Sequence, residues 1–118
     1  MGDDGRPVVD RLVAAVDCGR MVNPDIVRQQ IEGGLIVGLA QALGGATGFD
    51  RNLATARGFG DVWLPRLADT PDITVELIRS GEAPGGVSEL AIPPVAPAIA
   101  NALHAATGYR IRRLPLRA

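Results

Sequence analysis

The chain has 118 residues, of which 47% are hydrophobic and 21% are charged, and its formal net charge is −1. A chain of this length fits one small globular domain over residues 1–118, with a limited core and little stability to spare. All 12 basic residues are arginine and most are dispersed along the chain, so the charge pattern does not predict a nucleic-acid-binding surface.

The cysteine content and the apolar runs exclude several further classes. The single cysteine, Cys18, cannot form an internal disulfide, and no second Cys or His stands at metal-ligand spacing. Any metal is therefore expected to arrive within a cofactor. No run approaches the roughly 18 apolar residues of a membrane span, and residues 1–5 lack the charged and apolar regions of a signal peptide. These features predict a cytoplasmic protein without membrane contact, or a periplasmic one if a partner is exported with it.

The first half of the chain predicts a strand and then a long helix. Val8–Val16 is rich in β-branched residues, which favours a strand. Asn23-Pro24-Asp25 then offers an N-cap, a proline at the first helical position and an acidic first turn. Apolar residues follow at steps of four until Gly44-Gly45, and small residues alongside make one face flat enough for close packing. These small residues are Gly34, Gly38 and Ala42.

The second half predicts a hairpin around Asp50-Arg51-Asn52 and a strand over Ile73–Ile78. A helix from Ala96 to Ala106 should then end at Gly108, and Tyr109–Leu116 should form a last strand. This order predicts an α+β fold, a two-layer sandwich with two helices on one face of a mainly antiparallel sheet.

The stretch Pro84–Pro97 places one carboxylate, Glu89, in a glycine-rich loop directly ahead of a helix. Gly85 and Gly86 allow the backbone to pass close to a ligand or to adopt positive φ. A carboxylate held in such a loop can act as a general base. On spacing alone, the alternatives are a solvated turn glutamate and a plain flexible turn.

With Val16–Asp25 and Gln30–Gly34, this stretch resembles the molybdenum hydroxylases of the xanthine dehydrogenase and aldehyde oxidoreductase family. The isoquinoline 1-oxidoreductase type of large subunit is the most similar branch. The resemblance runs from about Val8 to Leu116 and covers the C-terminal end of the family's second molybdopterin-binding domain. It implies that the chain is a C-terminal fragment or a split subunit of a larger enzyme.

The resemblance also implies roles for particular residues. Glu89 would be the general base in the hydroxylation of aldehydes or N-heterocycles with oxygen derived from water. Gln30 would hydrogen-bond the pterin of the molybdenum cofactor, since an amide offers both a donor and an acceptor. The backbone near the molybdenum centre would be that of Gly85, Gly86, Val87 and Ser88.

Two residues beside Glu89 depart from the family pattern. The family usually has glycine before this glutamate and proline after it, where this chain has Ser88 and Leu90. If Ser88 must adopt positive φ, the strain is on the order of 1 kcal/mol or more, which argues against activity.

The resemblance implies partners, because the other cofactor loops lie outside this sequence. They are the remainder of the large subunit and a small subunit with two [2Fe–2S] clusters, and the chain is not expected to be active alone. The alternative is a non-catalytic remnant or an independently folding interaction module, which could form a homo-oligomer through its apolar faces.

Overall fold

A computed structural model describes Gly2 and residues 4–117 of the chain. Two helices and four short strands confirm the α+β class. The elements are β1 (Arg11–Val16), α1 (Pro24–Leu43), β2 (Phe49–Asp50), β3 (Leu53–Ala54), β4 (Asp72–Leu77) and α2 (Val95–Thr107), with 3-10 turns at Phe59–Asp61 and Leu67–Asp69.

The two longest strands run parallel, so the prediction of a mainly antiparallel sheet is wrong. β1 pairs with β4 from Arg11 opposite Asp72 to Val16 opposite Leu77. After β1 the chain returns through α1 and enters β4 at the end of the sheet where β1 begins. Such a crossover produces parallel pairing. This direction places the carboxyl ends of both strands at the same end of the sheet.

Among the residues that the structure describes, antiparallel pairing is confined to the predicted hairpin, which is confirmed. β2 and β3 pair through Phe49 with Ala54 and through Asp50 with Leu53. Arg51 and Asn52 between them have φ of 45° and 64°, as a two-residue type I′ turn requires.

Helix α1 begins and ends at the predicted residues. Asn23 Oδ1 accepts hydrogen bonds from the N–H groups of Asp25 at 3.1 Å and Ile26 at 3.2 Å, which satisfies two unpaired donors of the first turn. At the other end, the Gly44 N–H donates to the Ala40 carbonyl at 3.0 Å.

The two helices approach closely along the flat face of α1. A Cβ added to Gly38 would lie 2.6 Å from Val95 Cγ2, and one added to Gly34 would lie 3.0 Å from the Ala91 Cβ. The prediction of close packing is therefore confirmed. The main buried apolar side chains lie between the helices and the strands; they are Val16, Ile31, Leu35, Leu39, Val75, Val95, Ile99 and Leu116.

The segment after α2 is not a strand, contrary to the prediction for Tyr109–Leu116. Helix α2 ends at Gly108, whose φ is 78°, and the residues beyond it form turns and irregular backbone. Leu116 is 1% exposed, and its N–H donates to the Ala42 carbonyl at 2.7 Å. Leu116 therefore packs against α1, and the segment does not join the sheet.

Candidate functional site

The glycine-rich loop between β4 and α2 lies beside the turn that follows β1. The Arg20 N–H donates to the Glu82 carbonyl at 3.0 Å, and the Gly85 N–H donates to the Cys18 carbonyl at 2.7 Å. Parallel pairing explains this contact, because the loops after β1 and β4 both leave from the carboxyl end of the sheet. In open α/β sheets, ligands bind beyond the carboxyl ends of parallel strands.

Gly19 makes the close approach of the two loops feasible. Its φ is 72°, and a Cβ at this position would lie 2.0 Å from the Ala83 carbonyl oxygen. A side chain here would be strained by the backbone conformation and would also push the loops apart.

Asp17 ties the ends of the two strands together. Its Oδ1 accepts hydrogen bonds from Ser80 Oγ at 2.7 Å and from the Gly19 N–H at 3.0 Å. The Ser80 hydroxyl, and then the Gly19 N–H, hold the pKa of Asp17 below its ordinary value. This geometry gives Asp17 a structural role, and the sequence alone did not indicate its partner Ser80, which lies 63 residues away.

A hydrogen bond joins the two predicted parts of the site. Gln30 Nε2 donates to the Ser88 carbonyl oxygen at 3.0 Å, across 58 residues of sequence. Helix α1 therefore supports the loop at the residue preceding Glu89. Gln30 Oε1 accepts no hydrogen bond from the residues that the structure describes, so it is available as an acceptor.

Glu89 is exposed in this chain, and one of its carboxylate oxygens is held by its neighbour. Ser88 Oγ donates to Glu89 Oε2 at 2.7 Å. The Glu89 carbonyl accepts from the Ile92 N–H at 3.0 Å, which forms the turn that leads into α2. The side chain thus extends from a fixed turn towards solvent.

The prediction of backbone strain at Ser88 is wrong. Among the described non-glycine residues, only Arg51 and Asn52 have positive φ. Gly85 and Gly86 are not in the left-handed region either. A Cβ on Gly85 would lie 3.3 Å from the Cys18 carbonyl oxygen, whereas one on Gly86 would have no neighbour within 4 Å. Close packing against the β1 turn therefore explains Gly85, and Gly86 borders open space.

The loop presents a row of unused hydrogen-bond donors. The N–H groups of residues 86–89 donate to no acceptor within the described part of the chain. Val87, between them, is partly buried against the core and fixes the loop. These N–H groups suit a ligand that is rich in hydrogen-bond acceptors, and Gln30 Oε1 beside them could accept from a donor of the same ligand.

Metal-ligand clusters and membrane-spanning helices are both missing from residue 2 and residues 4–117. These residues contain no group of three or more His, Cys, Asp or Glu side chains that could hold a metal ion. None of their helices is both long and apolar enough to cross a membrane.

Residues 2–71 match the family described as "Molybdopterin cofactor-binding domain". The chain is 38% identical over 109 residues to the beta subunit of isoquinoline 1-oxidoreductase from Brevundimonas diminuta, covering 92% of this chain and 14% of the relative. It is 37% identical over 115 residues to a nicotinate dehydrogenase subunit of Pseudomonas putida, covering 97% and 10%. Both of these alignments extend well beyond residue 71, the last residue of the family match.

The fold agrees with the sequence comparisons. The crystal structure of quinoline 2-oxidoreductase from Pseudomonas putida 86 is similar with a TM-score of 0.77 and 26% identity, over 91% of this chain and 15% of that chain. The chain thus spans only 10–15% of the length of these proteins. The family match and these relatives confirm the resemblance inferred from the sequence: the chain belongs to the molybdopterin cofactor-binding domain family of the molybdenum hydroxylases.

Proposed function

We propose that this chain forms one wall of the active site of a molybdopterin-dependent hydroxylase and that Glu89 is its general base. The observation that carries the proposal is the hydrogen bond from Gln30 Nε2 to the Ser88 carbonyl. It brings a helix residue and a loop residue, both proposed to serve the cofactor, to within one residue of the proposed base. The whole enzyme is larger, since the chain spans only a small part of its relatives.

The donors and acceptors present fit the cofactor. A pterin ring alternates hydrogen-bond donors and acceptors, and the phosphate of molybdopterin adds further acceptors. The N–H groups of Gly86, Val87 and Ser88 would donate to it, and the free Oε1 of Gln30 would accept from it. The absent Cβ of Gly86 leaves room for close approach. When bound, the cofactor would supply the redox-active molybdenum centre.

Glu89 has the chemistry of a base that is held at one end. Its Oε2 is occupied by the Ser88 hydroxyl, which leaves Oε1 to accept a proton. The side chain is exposed here, and a complete enzyme would cover it. Burial disfavours the charged form of a carboxylate and so strengthens it as a base.

The names of the relatives support the substrate class, whereas the proposed partners rest on the family resemblance of the sequence. Isoquinoline and nicotinate are N-heterocycles, and another relative, of Megalodesulfovibrio gigas, is named aldehyde oxidoreductase. We therefore assign hydroxylation of N-heterocycles or aldehydes with water-derived oxygen. The remainder of the large subunit would complete the site, and an iron–sulfur small subunit with [2Fe–2S] clusters would carry the electrons away.

The test is purification of the tagged chain from its native host with whatever accompanies it. Molybdenum is measured by elemental analysis, and oxidation of isoquinoline, nicotinate and benzaldehyde is followed with an artificial electron acceptor. Glu89→Gln should lower kcat by about 100-fold or more, because general bases contribute at least that much, while the molybdenum content stays unchanged.

Glu82→Gln is the matched control, since Glu82 is an exposed glutamate of the same loop. It should retain the activity of the unaltered protein. Equal activity of Glu89→Gln and Glu82→Gln would refute the assignment of the base.

The exposure of Glu89 in this chain favours one second candidate, a non-catalytic interaction module. That function predicts a chain that is purified without molybdenum and without a molybdopterin-binding partner. Self-association under the same conditions would support the homo-oligomeric form of this candidate.

A further inference from the structure

The layer of helices is wider than the sheet that it covers. Helix axes in contact lie about 8–10 Å apart, whereas neighbouring strands lie about 4.8 Å apart, so two helices cover about four strands. This sheet has two strands, β1 and β4. Helix α1 packs on both β4 and α2. Helix α2 therefore extends beyond the two-stranded sheet, where the described residues place no strand beneath it.

The outer edge of β1 carries unpaired backbone groups. The Asp10 and Val16 carbonyls accept from the N–H groups of Asp72 and Ile78 on the β4 side. Even-numbered residues of β1 therefore direct their polar backbone groups towards β4, and odd-numbered residues direct theirs to the other edge. Within residue 2 and residues 4–117, no strand pairs with that edge.

A groove runs along this free edge. It has a volume of about 430 Å³ and lies between residues 7–13 and the side of α2 that carries Ala98, Ile99, Ala102 and Leu103. The alanines keep this side of the helix shallow. On the other face of the strand, Val13 is 62% exposed, and Val8 at the end of the groove is 64% exposed.

We propose that the outer edge of β1 accepts an apolar strand from the polypeptide that supplies the rest of the molybdopterin-binding subunit. The inference rests on the proposed function and adds the docking surface. One face of the incoming strand would pack against α2, and its other face would continue the exposed face of the sheet that carries Val13. A strand that packs one face on a helix carries apolar residues at alternating positions, with β-branched residues favoured, so this is the pattern expected of the partner segment.

The extent of the exposed surface favours this occupant over a second copy of the chain. Pairing of two β1 edges would cover this edge and leave other apolar side chains in water, among them Val22 at 94% and Leu67 at 91% exposure. A chain that spans 10–14% of its relatives lacks the bulk of the subunit that could cover all of them.

The first experiment is photo-cross-linking in the native host. Val8 is replaced by benzoylphenylalanine, the cells are irradiated, and the cross-linked adduct is mapped by mass spectrometry. An adduct to an apolar extended segment of a molybdopterin-binding polypeptide supports the proposal. An adduct to a second copy of this chain, an adduct to another class of protein, or no adduct at all overturns it.

A pair of variants tests the backbone pairing. Val13→Pro removes an outward N–H at an edge position where proline is tolerated, and Val13→Ala removes the side chain but keeps the N–H. Val13→Pro should weaken recovery of the partner by about tenfold, because it removes one hydrogen bond between the strands and adds the bulk of the proline ring. Val13→Ala should change recovery by about threefold or less. Equal losses would overturn strand addition, and thermal unfolding of both variants identifies any loss of folding.

These results are independent of the assignment of the base. Loss of the partner in Val13→Pro with full activity in Glu89→Gln would support the docking surface and refute the proposed catalytic role. An inactive Glu89→Gln in a complex that cross-links elsewhere would support the role and refute the surface.

Discussion

Ser88 is one of the two residues that depart from the pattern implied by the resemblance. A serine at this position is compatible with the loop, because Ser88 lies outside the positive-φ region. Its carbonyl accepts from Gln30, and its hydroxyl donates to Glu89. One residue thus links the helix to the proposed base, which a glycine could do only through its backbone. The departure from the family pattern therefore gives no reason to exclude catalysis.

The Asp17–Ser80 hydrogen bond should make stability depend on pH. The Ser80 hydroxyl and the Gly19 N–H lower the pKa of Asp17 from its ordinary value of 3.8. Because the folded-state pKa is the lower one, the stabilisation is present above pH 3.8 and is lost as the pH falls through the folded-state pKa. Ser80→Ala removes the larger cause, so its deficit in unfolding free energy should be greatest near neutral pH and should shrink in acid.

Urea unfolding of the unaltered protein and of Ser80→Ala at several pH values measures this deficit in unfolding free energy. Asp17→Asn is the control, since it removes the titrating group and should abolish the pH dependence of the effect of Ser80→Ala. A deficit that is the same at neutral pH and well below 3.8 would contradict the prediction. Asp17 is exposed, so the effect is expected to be small and sensitive to salt.

At the scale of elements, the contact between the helices depends on two small residues of α1. The cost of filling this contact can be separated from helix propensity by comparing glycines within the same helix. Gly38 faces α2, and an added Cβ would lie 2.6 Å from Val95 Cγ2 and 2.8 Å from the Ile92 carbonyl oxygen. Gly33 lies in the same helix with nothing within 4 Å of an added Cβ.

Gly33→Ala and Gly38→Ala should therefore change stability in opposite directions. Alanine in place of a helical glycine favours the helix by up to about 1 kcal/mol, which Gly33→Ala should show in full. In Gly38→Ala the backbone contact forces the helices apart, and overpacking of this kind costs about 1–3 kcal/mol. Chemical denaturation gives both values, and stabilisation by Gly38→Ala would show that the interface yields more readily than its geometry indicates.

The elements that local chemistry determines were predictable, and those that depend on distant partners were not. The N-cap at Asn23 and the turn at Arg51-Asn52 determine their structure within a few residues, and both were correctly placed. The direction of β4 depends on the crossover, and the fate of Tyr109–Leu116 depends on the absence of a neighbouring strand among the described residues. Alternating apolar residues show that one side is buried, but not whether a strand or a helix covers them.

The same limit applies to the site. The glycine-rich loop and Glu89 were visible as a motif, and the resemblance added Gln30. The contact from Gln30 to Ser88 spans 58 residues, and the partner of Asp17 spans 63. Periodicity carries no information on such pairs, because both depend on how the β1 turn, α1 and the β4–α2 loop meet in space.

At the scale of the whole molecule, the chain is less compact than an independent domain of its length. Its Cα radius of gyration is 16.2 Å, whereas a compact domain of this length has about 13.5 Å. Large apolar side chains are exposed on the two 3-10 turns, where Phe59 is 87% and Leu67 is 91% exposed. Soluble monomers rarely expose contiguous apolar patches of more than a few hundred Å². The shape and the surface both suit a part of a larger assembly.

This surface should make the isolated chain associate with itself, and removing its apolar groups should reverse that. Phe59→Asp combined with Leu67→Asp should weaken self-association by about tenfold or more, because a buried Leu or Phe contributes about 1.5–3 kcal/mol. Unfolding free energy should change by only about 0.5 kcal/mol, since neither side chain lies in the core. Sedimentation velocity over a range of concentrations measures the first quantity, and urea unfolding measures the second.

Ala68→Asp controls for charge, because it adds one of the two negative charges of the double variant, at an exposed position next to Leu67, without removing a large apolar side chain. If it weakens association as much as the double variant does, charge repulsion and not apolar contact is responsible. If the double variant also fails to recover the molybdopterin-binding partner, the 3-10 turns belong to the same interface. Retained recovery would restrict that interface to other faces of the chain, such as the β1 edge.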